Sequence, residues 1–181
     1  LYAVSFGGAY FLWMAILFCF IIQAVSYEYR KKPDNFLGQR TFEIFLYING
    51  SVGIILIGIA LGTFYTGGNF IKNEMNLSSW VNHTYGLEAL LNPFNVILGL
   101  TIFFLARAQA SLYFINNIAE TTIINRARRQ LKYDALLFLG SFLMVAVMLL
   151  MMSGVGYAKE GFEVIENKFL HNLFDIPLLL I

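Results

Sequence analysis

Arg107 is the residue of this chain whose type and position point most clearly to chemistry. It lies in a long apolar stretch that starts at Pro93, about 14 residues and roughly 21 Å further along a helix. A cation at this depth either extends its long side chain to the membrane surface or pairs with a polar group between helices. The second alternative would place Arg107 on a polar or proton-conducting path, and the sequence alone leaves both open.

Three further polar residues are candidates for the same path. Gln109 is the next polar residue after Arg107, and Gln23 lies at a similar depth in the first apolar stretch, about 26 Å from Phe6. Glu43 stands at the start of the second stretch. We expect these residues and Arg107 to form a short polar string between helices, although Glu43 has the simpler alternative role of an anion at a helix N-terminus.

The residues that usually form catalytic or metal sites are scarce. The two histidines, His83 and His171, fall in or beside polar loops, whereas a haem in a helical bundle takes imidazoles that project inward from helices. Cys19 is the single cysteine, which excludes an internal disulfide and a CxxC site. No phosphate loop, nucleophile elbow or paired-carboxylate motif is present. We therefore predict no catalytic residue and no metal ligand in this chain.

The composition indicates the elements that must position these residues. The chain has 181 residues, of which 59% are hydrophobic and 13% charged, and its mean hydropathy is +0.68. Such values are atypical of soluble domains, and a net charge of +1 does not indicate a nucleic-acid partner. Backbone groups inside a bilayer must bond within their own segment. We therefore predict an all-α, polytopic transmembrane bundle.

Four complete transmembrane helices and the start of a fifth are predicted, because about 20 apolar residues are needed to cross a bilayer. The predicted ranges are 6–27, 42–65, 93–117, 135–157 and 169–181, the last being truncated. The chain begins at Leu1 without a methionine and stops at Ile181 within an apolar run. We accordingly expect a single-domain fragment of a longer polypeptide. Gly58 and Gly62, one turn apart in the second helix, predict close packing against a neighbouring helix.

The basic residues predict the orientation of these helices. Of the 12 Lys and Arg residues, eight lie in the loop between the first and second predicted helices or in the loop between the third and fourth. Loops rich in Lys and Arg are cytoplasmic as a rule. The eight residues are Arg30, Lys31, Lys32, Arg40, Arg126, Arg128, Arg129 and Lys132. We expect the Leu1 end on the outer side and Arg107 in the inner half of the bilayer. The long polar loop after the second helix, with Trp80 and Tyr85 as interfacial anchors, would cover the outer face.

A series of short motifs occurs in a fixed order along the first two thirds of the chain. It comprises Phe6-Gly7-Gly8-Ala9-Tyr10, Tyr27-Glu28-Tyr29-Arg30, Glu43, Gly58-Ile59-Ala60-Leu61-Gly62, Leu90-Leu91-Asn92-Pro93-Phe94, Gly99, Tyr113 and Arg126-Ala127-Arg128. This series resembles subunit II of the cytochrome bd-type quinol oxidases, and the motif that ends at Phe94 is the most specific part. Ile22 to Tyr27 and Phe64 to Gly67 are similar to the Bacteroidetes branch of that family.

The resemblance implies a complex of the bacterial inner membrane that oxidises quinol and reduces dioxygen to water, with protons taken from the cytoplasm. In this family haem b and haem d belong to subunit I. Subunit II is their haem-free partner, which supports assembly and the access of protons or oxygen. The chain would bind no cofactor itself and would contact subunit I, quinone and membrane lipid. It would correspond to about the third to sixth helices of subunit II and the start of the seventh.

One departure from the family pattern concerns the candidate site. Many relatives have arginine at the position of Gln23, whereas Arg107 stands where relatives usually have an apolar residue. We hypothesise that a cation has moved from the first helix to the third at similar depth. The alternative function is part of a secondary transporter or channel, which would show broken helices or inverted repeats around a midplane site. Pro93, at a helix start, is not such a break.

Overall fold

Four long helices dominate the computed structural model, which describes residues 9–32, 37–72, 74, 78–158 and 161–175. They are α1 (Tyr10–Tyr29), α2 (Gln39–Thr66), α3 (Pro93–Asn117) and α4 (Thr121–Leu150). All four are long and apolar enough to cross a membrane, which confirms the predicted all-α transmembrane fold. Shorter elements are a 3₁₀ helix (Leu87–Leu91), α5 (Lys168–Asp175), and two antiparallel hairpins, β1 (Phe70–Lys72) with β2 (Ser78–Trp80) and β3 (Gly154–Ala158) with β4 (Gly161–Ile165).

Three of the predicted helices agree closely with the structure. The third has the predicted bounds, 93–117, while the first spans 10–29 instead of 6–27 and the second 39–66 instead of 42–65. Asn92 explains the sharp start of α3, because its side chain accepts a hydrogen bond of 3.0 Å from the Phe94 backbone N–H and Pro93 follows as the first helical residue. The predicted start at Phe6 lies outside the described residues.

The fourth helix differs from the prediction at both ends. It spans 121–150 instead of 135–157, and only residues 118–120 separate it from α3. The prediction started the helix at Ala135, after the charged residues. Arg, Lys, Gln and Ala are strong helix formers, however, and they extend the helix toward its N-terminus beyond its apolar part. At the other end, Gly154 begins strand β3, and glycine is a poor helix former. The fifth helix begins at Lys168, and residues 176–181 lie outside the described part.

The long helices pack in sequence order, α1 on α2, α2 on α3, and α3 on α4. Buried apolar side chains fill the first of these contacts, among them Leu12 and Ile16 of α1 against Leu56 and Ile59 of α2. Cys19 is partly buried and has a free thiol. This arrangement makes α3 the helix that links the apolar α1–α2 pair to the more polar α4.

The α2–α3 contact depends on small residues. A Cβ atom added to Gly58 would lie 2.5 Å from the Cα of Gly99, and one added to Gly62 would lie 2.9 Å from the Cα of Asn95. Asn95 is buried, donates to the Ala89 carbonyl at 3.2 Å and accepts from the Thr66 hydroxyl at 3.2 Å. The two backbones therefore approach too closely for any side chain at Gly58.

The connection between α2 and α3 closes one end of the bundle. Its 3₁₀ helix contacts α1, α2 and α3, and the Tyr85 carbonyl accepts a hydrogen bond of 3.2 Å from the Phe11 N–H. The Tyr85 ring also stacks edge-on against Trp80 and Phe11. Nearby, the Thr84 hydroxyl donates to the Glu88 carboxylate and thereby lowers the pKa of Glu88. These contacts attach the loop to the helix ends.

Candidate functional site: a buried ion pair between α3 and α4

Arg107 forms an ion pair with Asp134 of α4. The Arg107 Nε lies 3.3 Å from the Asp134 Oδ2, and the Asp134 side chain is only 2% exposed while that of Arg107 is 39% exposed. Of the two alternatives for Arg107, this geometry matches pairing between helices. The carboxylate is the more deeply buried partner, so the arginine is the group that compensates its charge.

Two neighbouring side chains complete the environment of the pair. The Gln130 Nε2 donates to both carboxylate oxygens of Asp134, at 3.0 and 3.1 Å, from one helical turn earlier on α4. The guanidinium carbon of Arg107 lies 5.5 Å from the centre of the Phe103 ring, one turn earlier on α3. Asp134 thus receives hydrogen bonds from a cation and an amide, while Arg107 also contacts an aromatic ring.

The α3–α4 hairpin explains why these residues meet. Arg107 lies ten residues before Asn117 at the end of α3, and Asp134 lies thirteen residues after Thr121 at the start of α4. At about 1.5 Å per residue, both stand roughly 15–20 Å from the short connection. Antiparallel packing of the two helices therefore brings them to the same level.

The carboxylate is the buried acceptor of the site. Ionised aspartate offers only acceptors, whereas the arginine guanidinium offers only donors. An open cavity of about 540 Å³ is lined by Gln130 together with Arg126, Arg129 and Tyr133. Gln130 therefore contacts the buried carboxylate and also borders a space wide enough for water. Buried ionisable groups in membrane helices commonly belong to ion or proton pathways.

The other predicted members of the polar string lie elsewhere. Gln109 on α3 and Gln23 on α1 are exposed in this chain, and exposed Glu43 accepts a hydrogen bond of 2.8 Å from Gln39. Among the described residues, no hydrogen bond joins any of these three candidates to the ion pair. The structure does not bring Gln23 and Arg107 together, since α1 packs on α2 and α3 packs between α2 and α4.

Asp134 is the functional candidate that the sequence analysis missed. The predicted fourth helix began at Ala135, one residue later, so Asp134 was assigned to a loop. Two signals could have identified it: its spacing of four residues from Gln130, which places both on one helix face, and the need of Arg107 for a counter-charge at its own level. Both signals require that α4 starts well before its apolar part.

A second polar cavity lies at the opposite end of α3. Its volume is about 300 Å³, and Thr66, Asn69, Glu88, Asn92 and Asn95 contribute its polar lining. The Thr66 hydroxyl donates a hydrogen bond to the Asn95 side-chain oxygen across the α2–α3 contact. The cavity is therefore part of the polar cap that holds these helix ends and the connecting loop together.

The side chains that could hold a metal ion do not converge in the described part of the chain. His83 is exposed in a turn, and His171 is exposed on the short helix α5. No group of three or more His, Cys, Asp or Glu side chains is arranged to hold a metal ion among the described residues.

Two curated proteins show what the chain is similar to. It is 27% identical over 163 residues to "Probable cytochrome oxidase subunit 2" of Haemophilus influenzae, a match that covers 90% of this chain and 40% of that protein. It is 24% identical over 178 residues to "Cytochrome bd-I ubiquinol oxidase subunit 2" of Escherichia coli strain K12, covering 98% of this chain and 44% of that protein. The chain thus spans less than half the length of these relatives.

The family model described as cytochrome bd terminal oxidase subunit II matches residues 1–181, the whole of the chain. This match confirms the resemblance based on the ordered motifs, and it does not favour the transporter or channel alternative. The four potential membrane-spanning helices agree with a polytopic member of this family. The chain therefore belongs to the cytochrome bd terminal oxidase subunit II family.

Proposed function

We propose that this chain forms part of subunit II in a membrane complex that oxidises quinol and reduces dioxygen to water. The observation that carries the proposal is the family match across all 181 residues. It is supported by the relative from Escherichia coli, whose name describes a ubiquinol oxidase subunit. The complex would lie in the bacterial cytoplasmic membrane, with this chain in contact with lipid and quinone.

In this proposal the haems belong to the partner, subunit I. The exposed positions of His83 and His171 support that assignment, since neither lies on one of the four long helices. Haem b and haem d, bound in the partner, would supply the electron transfer and the oxygen chemistry. This chain would contribute a helical surface for assembly and a route for protons or oxygen.

The ion pair is the proposed contribution of this chain to proton access. Protons would reach Asp134 from the cavity at Gln130 and would leave toward the interior of the complex. Arg107 would act as a positioning residue, since its Nε lies 3.3 Å from the buried Asp134 carboxylate. Gln109 remains a proposed polar group near this route, and Gln23 and Glu43 remain proposed polar groups of α1 and α2 in the assembled complex.

The orientation of the chain is proposed from its charges. Arg30 and Lys31 after α1, and the basic first half of α4, would lie on the cytoplasmic side, whereas the α2–α3 connection would lie outside. Cysteine introduced at Asn69 should then react with a membrane-impermeant maleimide added to intact cells. Cysteine at Lys31 should react only after the membrane is opened, and the reverse pattern would contradict the orientation.

Oxygen consumption tests the proposed function directly. A complex purified through a tag on the full-length protein should consume oxygen when a reduced quinol is supplied, and inhibition by a quinol analogue should stop the uptake. A preparation that lacks this activity but transports a solute across the liposome membrane would contradict the proposal and support the transporter alternative.

A further inference from the structure

The first half of α4 presents a basic face. Arg126, Arg128, Arg129 and Lys132 are all exposed on it. Within the part of the chain that the structure describes, none of the four forms an ion pair with a carboxylate. The nearest acidic residue along α4, Asp134, is already engaged by Arg107. These four cations thus have no carboxylate partner among the described residues.

Two adjoining open cavities lie along this face, with volumes of about 540 and 650 Å³. Both are lined by Arg129 and Tyr133, while Arg126 borders the first and Arg128 and Lys132 border the second. Arg129 thus lies between two cavities, each of which is lined by at least one further basic side chain. Guanidinium groups form bidentate hydrogen bonds with phosphate oxygens, and the lysine ammonium group adds a point charge.

The face becomes apolar one turn further along α4. Tyr133 is 63% exposed and Leu136 is 71% exposed, and Leu143 continues the exposed apolar surface two turns later. Between them lies Gly140, where an added Cβ would meet nothing within 4 Å. Residues at this spacing share one side of a helix. The cations are therefore followed by an aromatic ring and then by an apolar surface that lacks a side chain at Gly140, a gap that we call the notch.

We propose that this side of α4 is a binding site for an anionic phospholipid. The phosphate would bind at Arg129 with Arg128 and Lys132, and an acyl chain would lie over Leu136 and in the notch at Gly140. An acidic protein segment would satisfy the cations, but it would use neither the exposed Leu136 nor the open position at Gly140. The order of cation, aromatic ring and apolar notch matches the order of headgroup, interface and acyl chain in a lipid.

Lipid retention by the intact complex tests this proposal. The complex of full-length protein is placed in nanodiscs of phosphatidylglycerol and phosphatidylcholine, recovered in detergent, washed, and its bound phosphatidylglycerol is quantified by mass spectrometry. The triple variant Arg128→Gln, Arg129→Gln, Lys132→Gln should bind this lipid about a hundredfold more weakly, since each basic residue near the headgroups contributes roughly a fivefold factor.

A matched variant separates a defined site from general surface charge. It removes three cations from the α1–α2 region, Arg30→Gln, Lys31→Gln and Arg40→Gln, and should lower retention much less than the α4 variant, since the proposed phosphate contacts lie on α4. Equal losses in both variants would overturn the proposal in favour of diffuse attraction to the membrane. Unchanged retention in both would overturn it in favour of a protein partner over the cations.

The notch variant separates a lipid from a soluble phosphate. Gly140→Leu fills the proposed acyl-chain position without changing any charge, and it should lower phosphatidylglycerol retention several-fold while leaving the affinity for inorganic phosphate unchanged. If inorganic phosphate alone binds the wild-type complex at this face and Gly140→Leu has no effect on lipid, the site takes a soluble anion and the lipid assignment is wrong.

Discussion

Replacing Arg107 with leucine is expected to be the most damaging single change at the ion pair. The substitution leaves the Asp134 carboxylate, 2% exposed, with the Gln130 amide as its remaining donor among the described residues. Removing one partner of a buried pair typically costs about 3 kcal/mol or more because a charge is left uncompensated. We expect a lower yield and lower melting temperature of the complex, and slower quinol-driven oxygen uptake per haem.

The exposed ion pair of α1 supplies the matched control. Glu28 and Lys32 lie 3.1 Å apart, with side chains 67% and 48% exposed. Glu28→Gln removes one charge of that exposed pair, and it should cost no more than about 0.5 kcal/mol because exposed pairs contribute little. If Arg107→Leu and Glu28→Gln have equal effects on stability and turnover, the ion pair between α3 and α4 has no special role.

A double variant distinguishes proton transfer from structural support. Replacing both Arg107 and Asp134 with leucine removes both charges, and such replacements of buried pairs are often neutral or stabilising. If Asp134 carries protons, the double variant should regain stability while oxygen uptake stays slow, and the pH profile of the uptake should change. Recovery of stability, turnover and pH profile together would show that the pair is structural.

Replacing Gly58 with alanine is the second substitution with a large expected effect. The new Cβ would lie 2.5 Å from the Cα of Gly99, a distance that forces α2 and α3 apart. Forcing extra atoms into a packed contact costs about 1–3 kcal/mol, and leucine at the same position should cost more. We expect a lower melting temperature and loss of assembled complex, which gel filtration of the solubilised complex would measure.

Gly50, on the same helix, offers the control for this substitution. A Cβ added there would meet nothing within 4 Å, so Gly50→Ala changes the helix without disturbing its contact with α3. It should be neutral or stabilising by up to about 1 kcal/mol, since alanine is the better helix former. Equal destabilisation by both substitutions would show that the effect arises within α2 and not at its contact with α3.

The long helices were predictable because each depends on a local property of the chain. An apolar run of sufficient length specifies a transmembrane helix, and the Asn92 and Pro93 pair marks the start of α3 at the observed residue. The beginning of α4 was not predictable from hydropathy, because its first three turns are polar and project beyond the apolar part. Because the predicted helix began at Ala135, the sequence analysis also missed Asp134.

The membership of the candidate site was only partly predictable. Sequence position gives the depth of a residue along its helix, which singled out Arg107 as a deep cation but left open whether it extends to the membrane surface or pairs between helices. Depth does not give the direction of a side chain around the helix or the identity of the neighbouring helix. Gln23 and Gln109 were therefore placed at suitable levels, yet in this chain both are exposed.

The absorption spectrum of the complex tests the central proposal most directly. The full-length protein is purified gently through a tag, and its reduced-minus-oxidised difference spectrum is recorded together with quinol-driven oxygen uptake. The account predicts bands of haem b and haem d in a preparation that contains a second, larger subunit and consumes oxygen. A colourless preparation without such a partner would contradict it.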